Sequence, residues 1–354
     1  MTEQQTSKPV VYVQDGKQIS THSMLKTFRR CPKQAEFKYI QRLKPRMLGK
    51  PLRRGTWIHA LLEAHYKGLD WEEEHKRQTK KFSKLFDEER EQLGDLPREL
   101  KRLMKSYLWH YKDDPWKVHE IEFTLEAEFP DGTVYRGKID MLVENQYGLW
   151  IVDHKSHARL PNSDFRLLDA QSALYVWAAQ MNGLPVQGHI WNYLVTKPPS
   201  IPEWLPKSNR MSERKITTDY PTYRAALKAY GLDPADFEAK LAYLKGQRYK
   251  PGRPQTSEFF RRDVLEKPGP MLERVAQEAY HTSLRMHEYP WEMLDAVERV
   301  PDRSCTFSCS YTDLCTAELF GGNTAVILKN RYDVGDPMDY YYDDRQDKKE
   351  SNAD

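Results

Sequence analysis

The sequence has no apolar run near the ~20 residues that a membrane-spanning helix requires, and its mean hydropathy is −0.82. A membrane span is therefore not expected. The first residues, MTEQQTSKPVVYVQDGKQ, have no basic stretch leading into an apolar one, so no export signal is expected either. Cysteine is scarce, four in 354 residues. That argues against a disulfide-dense secreted scaffold and for a reducing cytoplasm. A G-x-x-x-x-G-K-[ST] phosphate loop is missing, so no ATP-driven motor is expected within the chain. No Cys–His pair stands in a thiol-catalysis pattern, and no internal repeat is present.

What is there is enough chain for one large domain or two ordinary ones, 39% hydrophobic and 30% charged. The formal charge of +3 is unevenly spread. Residues 331–354 hold eight acids and four bases, a net of −4, which leaves +7 on the rest. Arg42, Lys44, Arg46, Lys50, Arg53 and Arg54 crowd one stretch. Lys245, Arg248, Lys250, Arg253, Arg261 and Arg262 crowd another, interleaved with Tyr249, Phe259 and Phe260. Such clusters suit phosphate contacts, and the rings suit stacking on unpaired bases. A solvated face is the alternative.

Residues 1–118 read as an N-terminal helical region. A loose arm runs to about residue 18; then Ser20 or Thr21 can cap a helix carrying Met24, Leu25 and Phe28, which Pro32 interrupts. Beyond the basic linker, TWIHALLEAHY (56–66) has helical spacing and LKRLMKSYLWHY continues in kind. Residues 119–200 change pattern. EIEFTLEAEF alternates, Asp131-Gly132 signals a hairpin turn, and TVYRGKIDMLVE and LWIVDHK read as strands around a tight turn at 145–148. DAQSALYVWAAQMNG then reads as an amphipathic helix and HIWNYLVTK as a strand. Strand, helix, strand implies a crossover and a mixed sheet. Residues 201–269 read as loop and basic helical insertion, 270–325 as a C-terminal helix with three cysteines, and 326–354 as an acidic disordered tail. The fold class is α/β.

Alternation places Leu149, Ile151, Asp153 and Lys155 on one strand face, with Trp150, Val152 and His154 on the other. A turn centred between Gln146 and Tyr147 sets Asp153 opposite Asp140, with Cβ atoms roughly 4.5–5.5 Å apart. Two carboxylates so close repel unless a divalent cation lies between them, and an oxygen-rich site favours Mg²⁺ or Mn²⁺. Lys155, about 7 Å along the same face, is placed to hold a water or offset phosphate charge.

These residues resemble the PD-(D/E)XK nuclease superfamily, in particular its RecB-like branch, which includes AddB-type and CRISPR-associated exonucleases. The likeness lies in G-K-I-D at Gly137–Asp140, D-H-K at Asp153–Lys155, Q-x-x-x-Y at Gln171 and Tyr175, and G-T-W-I-H at Gly55–His59. It implies a restriction-endonuclease-like core embedded in helical segments. His59, Asp140 and Asp153 would ligate a metal, with the His154 carbonyl as a further ligand. Lys155 would orient the attacking water, and Gln171 and Tyr175, sharing a helix face, would support the site or touch DNA. Glu63, one turn beyond His59, could orient it.

Cys31, Cys305, Cys309 and Cys315 resemble the one-plus-three layout of that branch's [4Fe–4S] staple, joining N- and C-terminal segments, with structural Zn²⁺ as the rival. The spacing from Cys305 to Cys309 is one residue wider than the family's. The resemblance implies a metal-dependent DNA exonuclease, with some endonuclease activity, in recombination, repair or DNA processing of a bacterium or phage-infected host. DNA with single-stranded character is the implied partner, alongside a separate helicase or recombination protein. The alternative is a catalytically silent module that binds DNA ends.

Overall fold

The structure, a computed structural model, describes residues 11–161, 164–213 and 216–341. It opens with a hairpin, β1 (Val13–Gln14) and β2 (Lys17–Thr21), so the arm expected to be loose is ordered from residue 11. Val11 and Tyr12 are buried, and β2 joins the main sheet; residues 1–10 lie outside the described residues. Helix α1 (His22–Arg30) starts where the Thr21 side chain accepts the Met24 N–H, and it buries Met24, Leu25 and Phe28. Cys31 is extended and Pro32 restarts the chain as α2 (Pro32–Ala35). A short strand, β3 (Leu43–Pro45), precedes α3 (Lys50–Tyr66). The basic linker is thus shorter than expected: Lys50, Arg53 and Arg54 lie on α3, whose first turn accommodates Pro51 because no intrahelical N–H is needed there. Helices α4 (Trp71–Phe82), α5 (Asp87–Leu93) and α6 (Leu96–His110) complete the N-terminal region.

The sheet follows: β4 (Lys117–Glu128), β5 (Val134–Asn145), β6 (Gly148–His157), helix α7 (Ala170–Met181) and β7 (Val186–Val195). β6 and β7 pair in parallel across the α7 crossover while β5 and β6 pair antiparallel, giving the expected central mixed sheet. Beyond β7, the small hairpin β8 (Trp204–Leu205) and β9 (Arg210–Met211) and helices α8 (Tyr220–Ala229) and α9 (Glu238–Gly246) bury their own core of Met211, Tyr223, Leu227 and Leu244. The chain then returns to the sheet as β10 (Phe260–Glu266), antiparallel to β7. Helix α10 (Gly269–His287) packs on α7 and α1. Helices α11 (Thr312–Leu319) and α12 (Thr324–Arg331) lead to β11 (Tyr332–Val334).

As far as residue 341, β11 corrects the expectation of a disordered tail. It pairs with β3, Tyr332 and Met338 are buried, and Tyr341 packs on the core. Two acids of this segment are ion-pair partners, Asp333 for Arg46 and Asp339 for Lys44, and so hold the basic stretch. Residues 342–354 lie outside the described residues.

One feature of the sheet positions the site. β4 covers one edge of β5 along nearly its whole length. The other edge is shared: β2 takes Val134–Arg136 and β6 takes Met141–Asn145. Residues 137–140 face the seam between them, which opens beneath α7. Among the described residues no helix is long and apolar enough to cross a membrane.

Candidate active site

The hairpin has the expected register, with Asn145 opposite Gly148 and Met141 opposite Val152. The ladder stops there. The next rung would join Asp140 to Asp153; instead the Asp140 side chain replaces a strand, its Oδ2 accepting the His154 N–H at 2.6 Å. Both aspartates are buried. His59, reaching in from α3, sets its Nδ1 3.2 Å from Asp140 Oδ1.

A third candidate ligand lies outside the sequence motifs. Glu122 on β4 occupies the rung across from Asp140 on β5's other side, between the paired residues Ile121 and Phe123, with φ at +54°. A non-glycine residue in that region carries a cost on the order of 1–3 kcal/mol, which is characteristic of functional sites. His59, Glu122 and Asp140 each place one donor atom within 4.8 Å of the other two. An imidazole nitrogen and two carboxylate oxygens converging from three elements fit a divalent cation of the Mg²⁺ or Mn²⁺ type. Asp153 stands outside this trio because its Oδ2 is 2.5 Å from Lys155 Nζ. That ammonium also lies 5.2 Å from the centre of the Trp191 ring.

Burial and mutual charge shift the titrating groups of the site. Burial would lower the proton affinity of His59, but the Asp140 carboxylate lifts it to about 9. Burial likewise opposes ionisation of Asp140, yet His59 holds it well below the usual carboxylate range. Glu122 is pushed up by burial and by the Asp140 charge, with Lys138 at 3.2 Å opposing. Asp153 is pushed up too, by burial first and then, against Lys155, by Asp140.

The remaining expected residues fall around this centre. The His154 ring is buried, its Nδ1 is 2.7 Å from Asn192 Nδ2, and the ring meets that of His59 edge-on with centres 5.9 Å apart. Gln171 Nε2 donates to Tyr175 OH at 2.8 Å. The Tyr175 ring lies against Gly137, where an added Cβ would meet it at 2.7 Å, which explains the glycine in G-K-I-D. Glu63 is paired with Lys67, not with His59. The four cysteines, each half-buried, all line one cavity of about 350 Å³ beside α2 and α11. Among the described residues, no three of their sulfurs lie within 4.8 Å of one another. A tetrahedral zinc with Zn–S near 2.3 Å holds its sulfurs about 3.8 Å apart, so no zinc-like set is preformed.

The basic clusters serve the fold more than expected. Phe259 and Phe260 are core, and Arg262 is buried on Asp114. Arg248 pairs with Asp113 and Arg261 with Asp263. In the first cluster, Arg53 pairs with Glu89 and Arg54 with Glu99. Lys245, Lys250 and Arg253 remain exposed.

No curated protein matches the chain. Among solved structures, a Eubacterium rectale protein provisionally named an exonuclease is 11% identical, covering 72% of this chain and 86% of its own at a TM-score of 0.36. A protein named SSO0001 is 12% identical, covering 87% and 89%, at 0.29. Likenesses so distant carry no argument. Residues 20–316, however, match the model of the PD-(D/E)XK nuclease superfamily, and with two buried aspartates and a lysine gathered at the seam of a mixed sheet, the chain belongs to that superfamily.

Proposed function

We propose that this nuclease is a Mg²⁺- or Mn²⁺-dependent DNA exonuclease of the RecB-like branch, acting in DNA recombination, repair or processing in the cytoplasm. The observation that carries the reading is the convergence of His59, Glu122 and Asp140 beside the Asp153–Lys155 pair. His59, Glu122 and Asp140 hold the cation, and Asp153 joins them as a ligand; His154 contributes its main-chain carbonyl. When bound, the ion polarises the phosphate and makes water a better nucleophile near neutral pH. Lys155 orients the attacking water, and its charge opposes the negative charge that builds as the new P–O bond forms and the old one breaks. Gln171 and Tyr175 brace β5 beneath the site through Gly137.

Linear and circular DNA, each offered with Mg²⁺, Mn²⁺ or chelator, test this reading. Linear DNA should disappear only where the ion is present, while circular DNA attacked as fast would overturn the exonuclease assignment. The pH profile has a defined sign. His59 must lose its proton to ligate a cation, and in the ion-free protein that proton is held up to about 9. Apparent cation affinity should therefore climb from pH 7 towards 9 and level off above it.

The same proposal gives Cys31, Cys305, Cys309 and Cys315 a [4Fe–4S] cluster: all four thiols line one cavity, and binding would have to draw their sulfurs together, since no three of them lie within 4.8 Å of one another among the described residues. Freshly purified protein should be brown and contain iron. Colourless protein carrying stoichiometric zinc would replace the cluster with the zinc alternative.

A further inference from the structure

Behind the site, on the sheet face opposite Asp153, lies a buried polar circuit that neither the motifs nor the proposed chemistry uses. Its anchor is Arg262 on β10. The guanidinium is sandwiched by aromatic rings, 3.7 Å from the centre of Tyr111 and 3.4 Å from that of Trp116. It forks onto Asp114 at 2.9 and 2.6 Å. From Arg262 Nε a longer bond, 3.5 Å, runs to Asn192 Oδ1 on β7. Asn192 Nδ2 donates to Tyr107 OH at 2.8 Å, and that hydroxyl meets Tyr66 OH at 2.7 Å. Tyr66 OH closes the loop on Asp114 Oδ2 at 3.5 Å.

Donor and acceptor roles around this loop are set by its one permanent cation. Arginine only donates, so the amide oxygen of Asn192 must face Arg262. The amide N–H₂ then has two protons to place. One goes to Tyr107, whose own proton passes to Tyr66 and that of Tyr66 to Asp114. The other goes to His154 Nδ1, 2.7 Å away. Nδ1 therefore accepts and the ring is held in one orientation, stacked on Tyr66 with ring centres 5.9 Å apart. Through Asn192 the circuit reaches His154, whose backbone borders the site.

His154 matters because of where its backbone lies. Past Val152, β6 has lost its ladder to β5 while keeping that to β7, where His154 lies opposite Asn192, and the His154 N–H on Asp140 crosses the gap. The orientation of the Asp140 carboxylate, shared with His59, thus depends on where the peptide of His154 sits. We propose that Asn192 and Arg262 are positioning residues for the cation site, acting through His154 to hold that peptide against Asp140. The proposal rests on the reading of His59, Glu122 and Asp140 as a cation site. Outer partners of metal ligands commonly command 10–100-fold in metal affinity by such orientation.

The test is Mn²⁺ binding, read from the paramagnetic signal of free Mn²⁺ during titration without DNA. The proteins compared are the parent, Asp140→Asn, Asn192→Leu and Asn192→Ala. Both Asn192 variants remove the donor to His154 and neither adds a charge, whereas an aspartate there could accept from His154 Nδ1–H after a tautomer change. Positioning predicts that Asn192→Leu weakens Mn²⁺ binding about tenfold or more at a temperature where its circular dichroism matches the parent's. Asn192→Ala should weaken binding likewise, and it decides alone if Asn192→Leu fails to fold. Binding as tight as the parent's, or tighter, in either folded variant overturns the proposal while leaving the cation site intact, provided Asp140→Asn has lost it. A parent that binds no Mn²⁺ overturns the site reading and this proposal together.

Discussion

Replacing Asp153 with alanine is expected to lower ion-dependent DNA cleavage on the order of 10²–10³-fold at least, the scale set by removing one element of a preorganised electrostatic site. Two effects combine. A carboxylate that faces the cation position is removed, and Lys155 loses the oxygen that now holds its Nζ at 2.5 Å. A free Lys155 can turn towards Asp140, where it competes with the cation instead of opposing phosphate charge. Lys155→Ala removes only the second effect and should fall less at saturating Mn²⁺. The measurement is the initial rate on end-labelled linear DNA, with near-ultraviolet circular dichroism confirming the fold. An Asp153→Ala protein that cuts as fast as the parent would leave the hydrolysis to some other residues and sink the assignment.

The second large effect concerns stability. Lys33 is 1% exposed, and its Nζ lies 2.7 Å from Glu36 and 2.7 Å from Glu318. Glu36 is wholly buried, whereas Glu318 is partly exposed and also takes Arg299. Lys33→Met keeps most of the volume but takes the cation from the buried Glu36 carboxylate, leaving it the neutral Gln41 amide as a donor. Breaking a buried pair in this way costs about 3–5 kcal/mol. Urea unfolding should show that loss for Lys33→Met, and a good part of it should return in Lys33→Met with Glu36→Gln, because the leftover charge rather than the lost contact sets the penalty. Equal loss in the single and double variants would show that packing, not charge, dominates. Since Glu318 is on α11 and Lys33 on α2, the same substitution should loosen the wall of the cysteine cavity.

The central sheet and most of the candidate site were legible because short-range rules govern them. The Asn145–Gly148 turn sets the β5–β6 register, and that register brings Asp140 and Asp153 together. Glu122 escaped for a reason of one residue. A two-residue turn at Asp131-Gly132 would put Phe123 across from Asp140. The loop actually holds three residues, with Phe129 N–H bonded to the Thr133 carbonyl at 2.8 Å and Gly132 at φ +85°. That single step turns Glu122 towards the site. Arg262 was misread because a basic stretch looks alike on a surface and in a core. Only the β7–β10 pairing, between segments far apart in sequence, reveals Asp114 and Asn192 as its partners. The acidic tail was misread similarly, since its ion-pair partners lie near the other end of the chain.

The late return of β10 has a consequence for biosynthesis. β7 is buried along almost its whole length, and its outer edge is satisfied only by Phe260–Glu266, with the whole insertion between the two in sequence. Until that partner leaves the ribosome, the nascent protein displays a naked edge containing Trp191, Tyr193 and Val195, rich in the residues that self-associate as stacked strands. The insertion thus prolongs the interval in which aggregation competes with productive folding, and a chaperone that shields apolar strands would act at this stage.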